Sequence, residues 1–199
     1  MKILFIGLGG IGQRHLRNIV QLYGDDVEIS AYRTRNLNHV VTSDLRIDED
    51  STLDEKYSFT HFDDLGEALA EEPDVAFICN PTAMHVGVAL QAAKAGCDLF
   101  IEKPLGDTLQ GVNELKRICE SRRCITFVGY QLRFHPALVL LKEKLEQGCV
   151  GDVISVRVEV GEALPNWHPY EDYRTMYAAR QDLGGGVILS QIHEIDYLY

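Results

Sequence analysis

The sequence predicts an α/β fold with a doubly wound parallel β-sheet that is covered by helices on both faces. Short apolar runs alternate with longer segments in which apolar residues recur at helical spacing, as expected of successive βαβ units. A glycine-rich turn follows the first apolar run directly, which is typical of a strand passing into a helix. The 199 residues, 46% of them hydrophobic, suffice for one complete domain and part of a second.

Six apolar runs are predicted to form the sheet, at residues 2–6, 27–32, 58–62, 75–79, 97–101 and 125–129. Helical spacing predicts helices between them, over residues 11–23, 63–71, 85–95 and 108–121. Asp63 and Thr108 can cap two helix N-termini, and Gly96 suits the left-handed residue that ends a helix. Pro73 closes the second helix. The acidic residues at 44–50 and 54–55 indicate a solvated loop.

The pattern changes after the sixth run. Residues 136–146 are predicted to be helical, and residues 153–160 alternate as a half-buried antiparallel strand does. An irregular segment rich in aromatic residues follows, and the glycine triplet at 184–186 opens an apolar helix predicted to reach residue 199. We expect residues 1–126 to form one domain. Residues 127–199 would begin an α+β C-terminal domain that is incomplete, because a lone strand cannot stabilise itself in water.

The charge balance narrows the classes of partner. A net charge of −11 argues against nucleic acid and anionic membrane surfaces, and no apolar run approaches the roughly 20 residues that span a bilayer. The first two residues lead directly into a strand, so we expect no signal peptide. The five cysteines are odd in number and lack a Cys-x-x-Cys pair, so reduced cysteines in a cytoplasmic protein, without a metal site, are expected.

A dinucleotide site is predicted at the first turn of the chain. The string Gly-Leu-Gly-Gly-Ile-Gly fits Gly-x-Gly-x-x-Gly between a strand and a helix, within a βαβ unit. Gly7 permits the tight turn, Gly9 lets the backbone approach a pyrophosphate, and Gly12 lets helix and strand pack closely. Free N–H groups at the helix start would face the phosphates. The expected cofactor contacts are Gly7, Gly9, Gly10, Ile11 and Gly12, in a Rossmann domain that binds NADP or NAD.

The end of the second predicted strand bears on the choice between those two cofactors. An acidic residue there would hold the ribose 2′-hydroxyl of NAD, whereas this chain reads Tyr32-Arg33-Thr34-Arg35. Two arginines and a hydroxyl suit a 2′-phosphate, because guanidinium groups bind phosphate through charge-assisted hydrogen bonds. We therefore expect Arg33, Thr34 and Arg35 to bind the cofactor and NADP to be preferred.

Glu102-Lys103-Pro104 follows the fifth apolar run directly. A lysine at the carboxyl end of a parallel strand points into the crevice where open α/β sheets bind ligands. Burial and a neighbouring cation would lower its pKa, which makes Lys103 a candidate proton carrier. A solvated lysine in a turn is the alternative for this motif taken by itself.

These motifs together resemble the glucose-fructose oxidoreductase / inositol dehydrogenase / MocA family over residues 2–199. The resemblance is carried by the glycine string, Asn80-Pro81-Thr82 with His85, Ala95-Gly96, Glu102-Lys103-Pro104, Gly129-Tyr130-Gln131 with Arg133-Phe134, Gly148, Gly151, and the glycine triplet with His193 and Asp196. It implies a Rossmann domain and a C-terminal domain with a large, mostly antiparallel sheet. It also implies hydride transfer between NAD(P) and a hydroxyl or keto carbon of a sugar, sugar derivative or cyclitol.

The resemblance also implies roles for individual residues. Lys103 would lie beside the reacting hydroxyl, and His193 would be the acid/base, which suits a group whose pKa is near the working pH. Cofactor contacts would be Asn80, Pro81, Thr82, His85, Glu102 and Lys103. Substrate contacts would be Arg133, Trp167, Ser190 and His193. The expected partners are a small sugar-like molecule and further copies of the chain in a homo-oligomer.

The chain departs from the family pattern in two ways. Ser190 stands where many members have an aspartate; it is three residues from His193, and so on the same face of the predicted helix. Serine cannot supply a charge, and Glu194 would lie about 100° further round that helix. The chain is also shorter than family members, so we expect either a C-terminal truncation or a partner that covers the surface left exposed.

The aromatic segment at 167–177 lies where family members contact substrate. Its aromatic faces and polar groups suit a sugar or nucleotide-sugar, and Arg174 or Arg180 would meet a carboxylate or phosphate; a surface loop is the alternative. Three functions stay open for the chain. They are a sugar or cyclitol dehydrogenase, a catalytically silent dinucleotide-binding subunit that regulates or pairs with a partner, and a different reductase on the same scaffold.

Overall fold

A computed structural model describes residues 1–35 and 37–199. Six parallel strands form one sheet: β1 (Lys2–Ile6), β2 (Glu28–Tyr32), β5 (Thr60–Phe62), β6 (Val75–Ile78), β7 (Asp98–Ile101) and β8 (Thr126–Val128). Their spatial order is β5-β2-β1-β6-β7-β8. The chain turns to the other side of β1 when it enters β6, so the switch point of the sheet lies between β1 and β6, where such sheets bind ligands. All six predicted strands are confirmed.

The two faces of the sheet are covered by different helices. Ile3 and Phe5 pack with Leu16 of α1 (Gly10–Tyr23) on one face. Leu4 and Ile6 pack on the other face, against α3 (Leu65–Ala70), α4 (His85–Ala95) and α5 (Val112–Arg122). Alternate residues of β1 therefore enter two separate cores, which is why its apolar run is continuous.

The helix ends differ from prediction at two caps. The N-cap of α3 is Asp64, not Asp63, and its carboxylate accepts a hydrogen bond from the Glu67 N–H at 2.9 Å. The N-cap of α5 is Gly111 in left-handed geometry, so the Thr108 cap is wrong. Gly96 ends α4 at φ 97°, as predicted.

The predicted solvated loop at 44–50 is wrong in part. It belongs to an antiparallel hairpin of β3 (His39–Val41) and β4 (Ile47–Thr52), which is followed by the short helix α2 (Leu53–Lys56). Val40 and Val41 are each 1% exposed, so β3 is anchored in the core while Glu49 and Asp50 of β4 face water. The β-branched pair at 40–41 was the available sequence signal.

The C-terminal third contains one confirmed helix, α6 (Pro136–Glu146). The predicted strand at 153–160 is wrong, because those residues are exposed coil with no strand beside them in the described part of the chain. The predicted long helix is also wrong. It divides into α7 (Val187–Ser190) and α8 (His193–Asp196), separated at Gln191, whose backbone leaves helical geometry at φ −100°, ψ 35°. Across residues 1–35 and 37–199, no helix has the length and apolarity needed to cross a bilayer.

Candidate functional site: a dinucleotide crevice with a lysine–histidine pair

The glycine loop between β1 and α1 has the steric demands expected of a phosphate-binding turn. Gly7 has φ +96°, and a Cβ there would lie 3.0 Å from the backbone nitrogen of Asn80. A Cβ on Gly12 would overlap the carbonyl oxygen of Gly7. A Cβ on Gly9 would meet nothing within 4 Å among the described residues, so space lies open above the start of the helix. Two of the glycines serve close packing, and the third borders room for a ligand.

An aromatic segment lies over the same loop. A Cβ on Gly10 would collide with the hydroxyl of Tyr170. The Tyr170 ring stacks on His168 with centroids 5.1 Å apart, and His168 Nδ1 lies 2.6 Å from a carboxylate oxygen of Glu171. Burial raises the pKa of the Tyr170 hydroxyl, which therefore stays protonated. The segment at 167–177 thus borders the glycine loop, although no spacing rule identified Tyr170 from the sequence.

The three residues predicted to choose between NADP and NAD differ in their exposure. The Arg33 side chain is folded inward, with its guanidinium 5.2 Å from the Phe59 ring and 3.5 Å from Asp54. Its Nε and Nη1 atoms are buried and have no hydrogen-bond partner within residues 1–35 and 37–199. Thr34 and Arg35 are exposed beside it. Arg35 is also near enough to Tyr170 to act on its pKa.

His85 joins two loops at the carboxyl ends of neighbouring strands. Its ring is 1% exposed, with Nδ1 2.8 Å from the carbonyl oxygen of Pro104 and Nε2 2.8 Å from that of Asn80. Burial lowers the pKa of His85, and the two carbonyls oppose that shift. Thr82 is buried and Pro81 partly buried. The side-chain oxygen of Asn80 is buried and has no hydrogen-bond partner among residues 1–35 and 37–199.

Lys103 lies in the loop after β7 and contacts α7, which contains Ser190. Its ammonium donates a hydrogen bond to the carbonyl oxygen of Ser190 at 2.8 Å. Burial lowers the pKa of Lys103, and the carboxylates of Glu102, Glu194 and Glu162 oppose that shift. Desolvation therefore prevails over three carboxylates, and the amine gives up its proton more readily than a surface lysine does.

His193 completes the cluster and is 9% exposed. Burial and the charge of Lys103 lower its pKa, whereas Glu194 raises it. The side-chain amide nitrogen of Gln131 lies 3.2 Å from Nε2, and the Tyr130 ring meets the imidazole edge-on at 6.1 Å. Within the described chain, three buried atoms here have no partner: Ser190 Oγ, His193 Nδ1 and Glu194 Oε2. Buried polar atoms are normally satisfied, so these three are exceptions to the usual pairing.

The glycine triplet brings this stretch to the cofactor side of the sheet. A Cβ on Gly184 would lie 2.8 Å from the Ala83 nitrogen and 2.9 Å from Thr82 Cβ, so only glycine allows the approach. Ser190 and His193 are on different short helices, which corrects the expectation that they share a helical face. The break leaves the relation of Glu194 to His193 unchanged, because both belong to α8, but the charge of Glu194 acts on both Lys103 and His193.

Two other residues, Arg133 and Trp167, were predicted to contact the substrate. Arg133 forms a two-pronged ion pair with Asp196, at 2.9 Å from Nε and 2.8 Å from Nη2, so its guanidinium is already engaged. Trp167 is half-buried, and its indole N–H lacks a partner in the part of the chain that the structure describes. No group of three metal-ligating side chains converges among those residues.

The residues at the switch point fit a dinucleotide. Open space above Gly9 and the start of α1 provide a cradle for phosphates, and the buried side-chain oxygen of Asn80 has no partner among residues 1–35 and 37–199. The fold and the site therefore define a dinucleotide-binding α/β domain of the Rossmann type.

Comparisons with known proteins give the family. The family model described as an oxidoreductase family with an NAD-binding Rossmann fold, GFO_IDH_MocA, matches residues 1–130. The chain belongs to this glucose-fructose oxidoreductase / inositol dehydrogenase / MocA family.

Relatives of known name are similar over most of the chain. It is 29% identical to a myo-inositol 2-dehydrogenase of Thermotoga maritima over 98% of this chain and 53% of that protein. It is 30% identical to a D-glucoside 3-dehydrogenase of Escherichia coli over 86% of this chain and 49% of that protein. A solved NAD-binding protein of Listeria innocua shares the fold with a TM-score of 0.70 and 22% identity, over 99% of this chain and 53% of that one. The chain thus spans about half the length of the curated relatives it matches.

Sequence reasoning missed several residues of the site. The Gln131 amide and the Tyr130 ring lie against His193; both belong to a string quoted for the resemblance, but nothing in the pattern indicated their role. The contact of His15 with Glu102 joins residues 87 positions apart. Only the tertiary structure brings such pairs together.

Proposed function

We propose that this chain supplies the cofactor site and the catalytic pair of an NAD(P)-dependent dehydrogenase that acts on a hydroxyl or keto carbon of a sugar, sugar derivative or cyclitol. The observation that carries this proposal is the convergence of Lys103 and His193 beside buried polar atoms that have no partner in the described chain. The names of the relatives, a myo-inositol 2-dehydrogenase and a D-glucoside 3-dehydrogenase, support it.

The chemistry divides among a few side chains. The nicotinamide supplies the hydride chemistry when it is bound. His193 accepts the proton of the substrate hydroxyl in the oxidative direction, because its lowered pKa keeps the ring neutral near pH 7. The Gln131 amide engages Nε2, whereas Nδ1 is buried and has no partner in the described chain. The Lys103 ammonium stabilises the developing alkoxide.

The charges of the site favour an uncharged polyol over an acidic sugar or a nucleotide-sugar. Lys103 faces the carboxylates of Glu102, Glu162 and Glu194. Arg133 is neutralised by Asp196 and does not offer a free guanidinium. These carboxylates would repel an anionic substrate, whereas the hydroxyl groups of a neutral substrate can donate hydrogen bonds to them. We therefore place cyclitols and neutral sugars ahead of sugar acids and nucleotide-sugars.

We propose that NADP is preferred over NAD. Support comes from the lack of an acidic residue at the end of β2, in Tyr32-Arg33-Thr34-Arg35, and from the exposure of Thr34 and Arg35. Arg35 is the better candidate for the 2′-phosphate, because Arg33 is folded against Phe59 and Asp54. Titrating the protein with NADPH and NADH tests this preference by their dissociation constants; tighter binding of NADH would overturn it.

Nicotinamide absorbance measured against a panel of substrates tests the activity. The panel contains inositols and neutral glycosides in one arm and sugar acids and nucleotide-sugars in the other, each with NADP and with NAD. We expect turnover in the neutral arm. Cofactor binding without turnover in either arm would contradict the dehydrogenase proposal, and turnover only with acidic substrates would contradict the substrate class.

A catalytically silent dinucleotide-binding subunit is the second candidate. Ser190 favours it, since a serine replaces the family's aspartate and cannot be an ionised partner of His193. In that case NADPH or NADH would bind with ordinary affinity, and turnover would be absent with every substrate of the panel.

We also propose that residues 1–126 form the cofactor domain and residues 127–199 begin a second domain, with Phe127 and Val128 completing strand β8 of the first domain's sheet. Support comes from the two cores, whose buried residues all lie within the first 126 positions, and from the exposed apolar residues of α6 and of residues 153–160. Limited proteolysis with and without NADPH tests the boundary. Cleavage is expected in the segment at 147–162, and equal resistance of both parts in a monomer would contradict the division.

A further inference from the structure

A short side-chain contact outside the roles described so far joins α1 to the loop that carries Lys103. His15 Nε2 lies 2.6 Å from Oε1 of Glu102. His15 is on the helix that begins at the glycine loop, one turn after Gly12, and Glu102 immediately precedes Lys103. The pair is thus a direct polar link between the cofactor helix and the lysine.

Glu102 is held on several sides. It is 8% exposed, and its Oε2 accepts a hydrogen bond from the Lys103 backbone N–H at 3.1 Å. A Cβ on Gly129 would lie only 3.2 Å from Oε1, so the neighbouring backbone packs tightly on the carboxylate. A buried carboxylate is costly unless it receives hydrogen bonds, and His15 supplies the side-chain donor.

The His15 ring is not required in that place for packing alone. Its centroid is 4.8 Å from Phe100 and 5.8 Å from Phe77, within a row of aromatic rings that crosses the sheet. A phenylalanine would continue that row. An imidazole adds a nitrogen directed at Glu102, which is a polar function rather than a packing one.

We propose that His15 is a positioning residue, which holds the Glu102 carboxylate by a hydrogen bond and so limits the attraction of that carboxylate for the Lys103 ammonium. The inference deepens the proposed function, because it rests on Lys103 taking part in the reaction. Without His15, the charge of Glu102 would be less compensated, and Lys103 would hold its proton more firmly.

Other groups surround the same pair and are unchanged by a substitution at position 15. Those that sense the charge of Glu102 are Lys103, His85, Tyr177, His193 and Cys79. Lys103 also faces Glu162, Glu194 and His193. Because these groups stay in place, a change in Lys103 on substituting His15 reports the loss of one hydrogen bond to Glu102.

The test measures the pKa of Lys103 itself. The full chain is labelled with acetic anhydride between pH 6 and pH 11, and the acetylated peptide that contains Lys103 is quantified by mass spectrometry. His15→Phe keeps an aromatic ring and removes the donor, His15→Gln keeps a donor, and Asn18→Ala on the exposed side of the same helix is the control. This readout needs neither substrate nor cofactor, so it stands even if the dehydrogenase proposal fails.

We expect His15→Phe to raise the apparent pKa of Lys103 by about half a unit or more. His15→Gln should shift it less, and Asn18→Ala should leave it unchanged. In a Glu102→Gln background the His15→Phe shift should vanish, because no carboxylate remains to be held. An unchanged Lys103 pKa in folded His15→Phe overturns the proposal, as does an equal shift in the Glu102→Gln background. If His15→Phe does not fold, His15→Leu, which also lacks a donor, carries the same comparison in the wild-type and Glu102→Gln backgrounds.

Discussion

Alanine at two glycines of the phosphate loop should separate folding from cofactor binding. In Gly12→Ala the new Cβ overlaps the backbone carbonyl of Gly7. Because neither partner is a flexible side chain, the helix and strand must move apart, at a cost of about 3 kcal/mol. The better helix propensity of alanine returns about 1 kcal/mol. The net loss of about 2 kcal/mol corresponds to a fall in Tm of roughly 4–8 °C for a chain of this size.

Gly9→Ala is the matched variant. Its Cβ would meet nothing within 4 Å in the described residues, and its backbone at φ −70°, ψ −173° suits alanine. The weaker N-cap costs about 0.5 kcal/mol, so Tm should fall by only about 1–2 °C. The Cβ enters the space proposed for the pyrophosphate, so affinity for NADPH should fall by about tenfold or more. Thermal unfolding with and without NADPH measures both effects. A Gly12→Ala protein as stable as wild type, or a Gly9→Ala protein with unchanged affinity, would refute the reasoning.

Three further results are expected. Arg35→Ala should weaken NADPH binding by about tenfold and NADH binding much less, whereas Arg33→Ala should act mainly on Tm; equal effects of Arg35→Ala on both cofactors would count against the 2′-phosphate contact. The pKa of His85 is lowered from 6.5, so its stabilising effect is complete above pH 6.5 and is lost as pH falls below it. The free energy of unfolding, measured by urea titration at each pH, should fall less between pH 7 and pH 5 in His85→Asn than in wild type. An equal fall in both proteins would exclude this role. Glu194 raises the pKa of His193, so Glu194→Gln should move the acid limb of kcat/KM to lower pH, and a limb that stays in place would remove Glu194 from the site.

The parallel sheet was predictable because its central strands β1, β6 and β7 are largely buried and so appear in the sequence as nearly continuous apolar runs. The glycine loop was predictable because its backbone demands are local. The β3–β4 hairpin was missed, since the acidic residues of β4 hide a strand whose partner, Val40-Val41, carries the buried surface. The alternation at 153–160 predicted a strand, but alternation alone supplies no neighbour to pair with.

Which residues form the candidate site was easier to predict from the sequence than how those residues are arranged in space. Lys103 and His193 were identified from motifs, yet their meeting depends on a helix that breaks at Gln191 and on a carbonyl, that of Ser190, which binds the lysine. A helical wheel drawn through that break wrongly places Ser190 and His193 on one helical face. The His15–Glu102 contact crosses from one βαβ unit to another, and no local pattern reports it.

We propose that Lys103 and His193 carry the reaction in a site that binds NADP or NAD. The most direct test is turnover of Lys103→Met and His193→Asn on the best neutral polyol, with the NADPH dissociation constant measured for each protein. We predict a fall in kcat of about 10²-fold or more for each variant, with cofactor affinity changed by less than about threefold. Turnover that survives in either variant, or a loss of cofactor binding that accounts for the loss of turnover, would contradict the account.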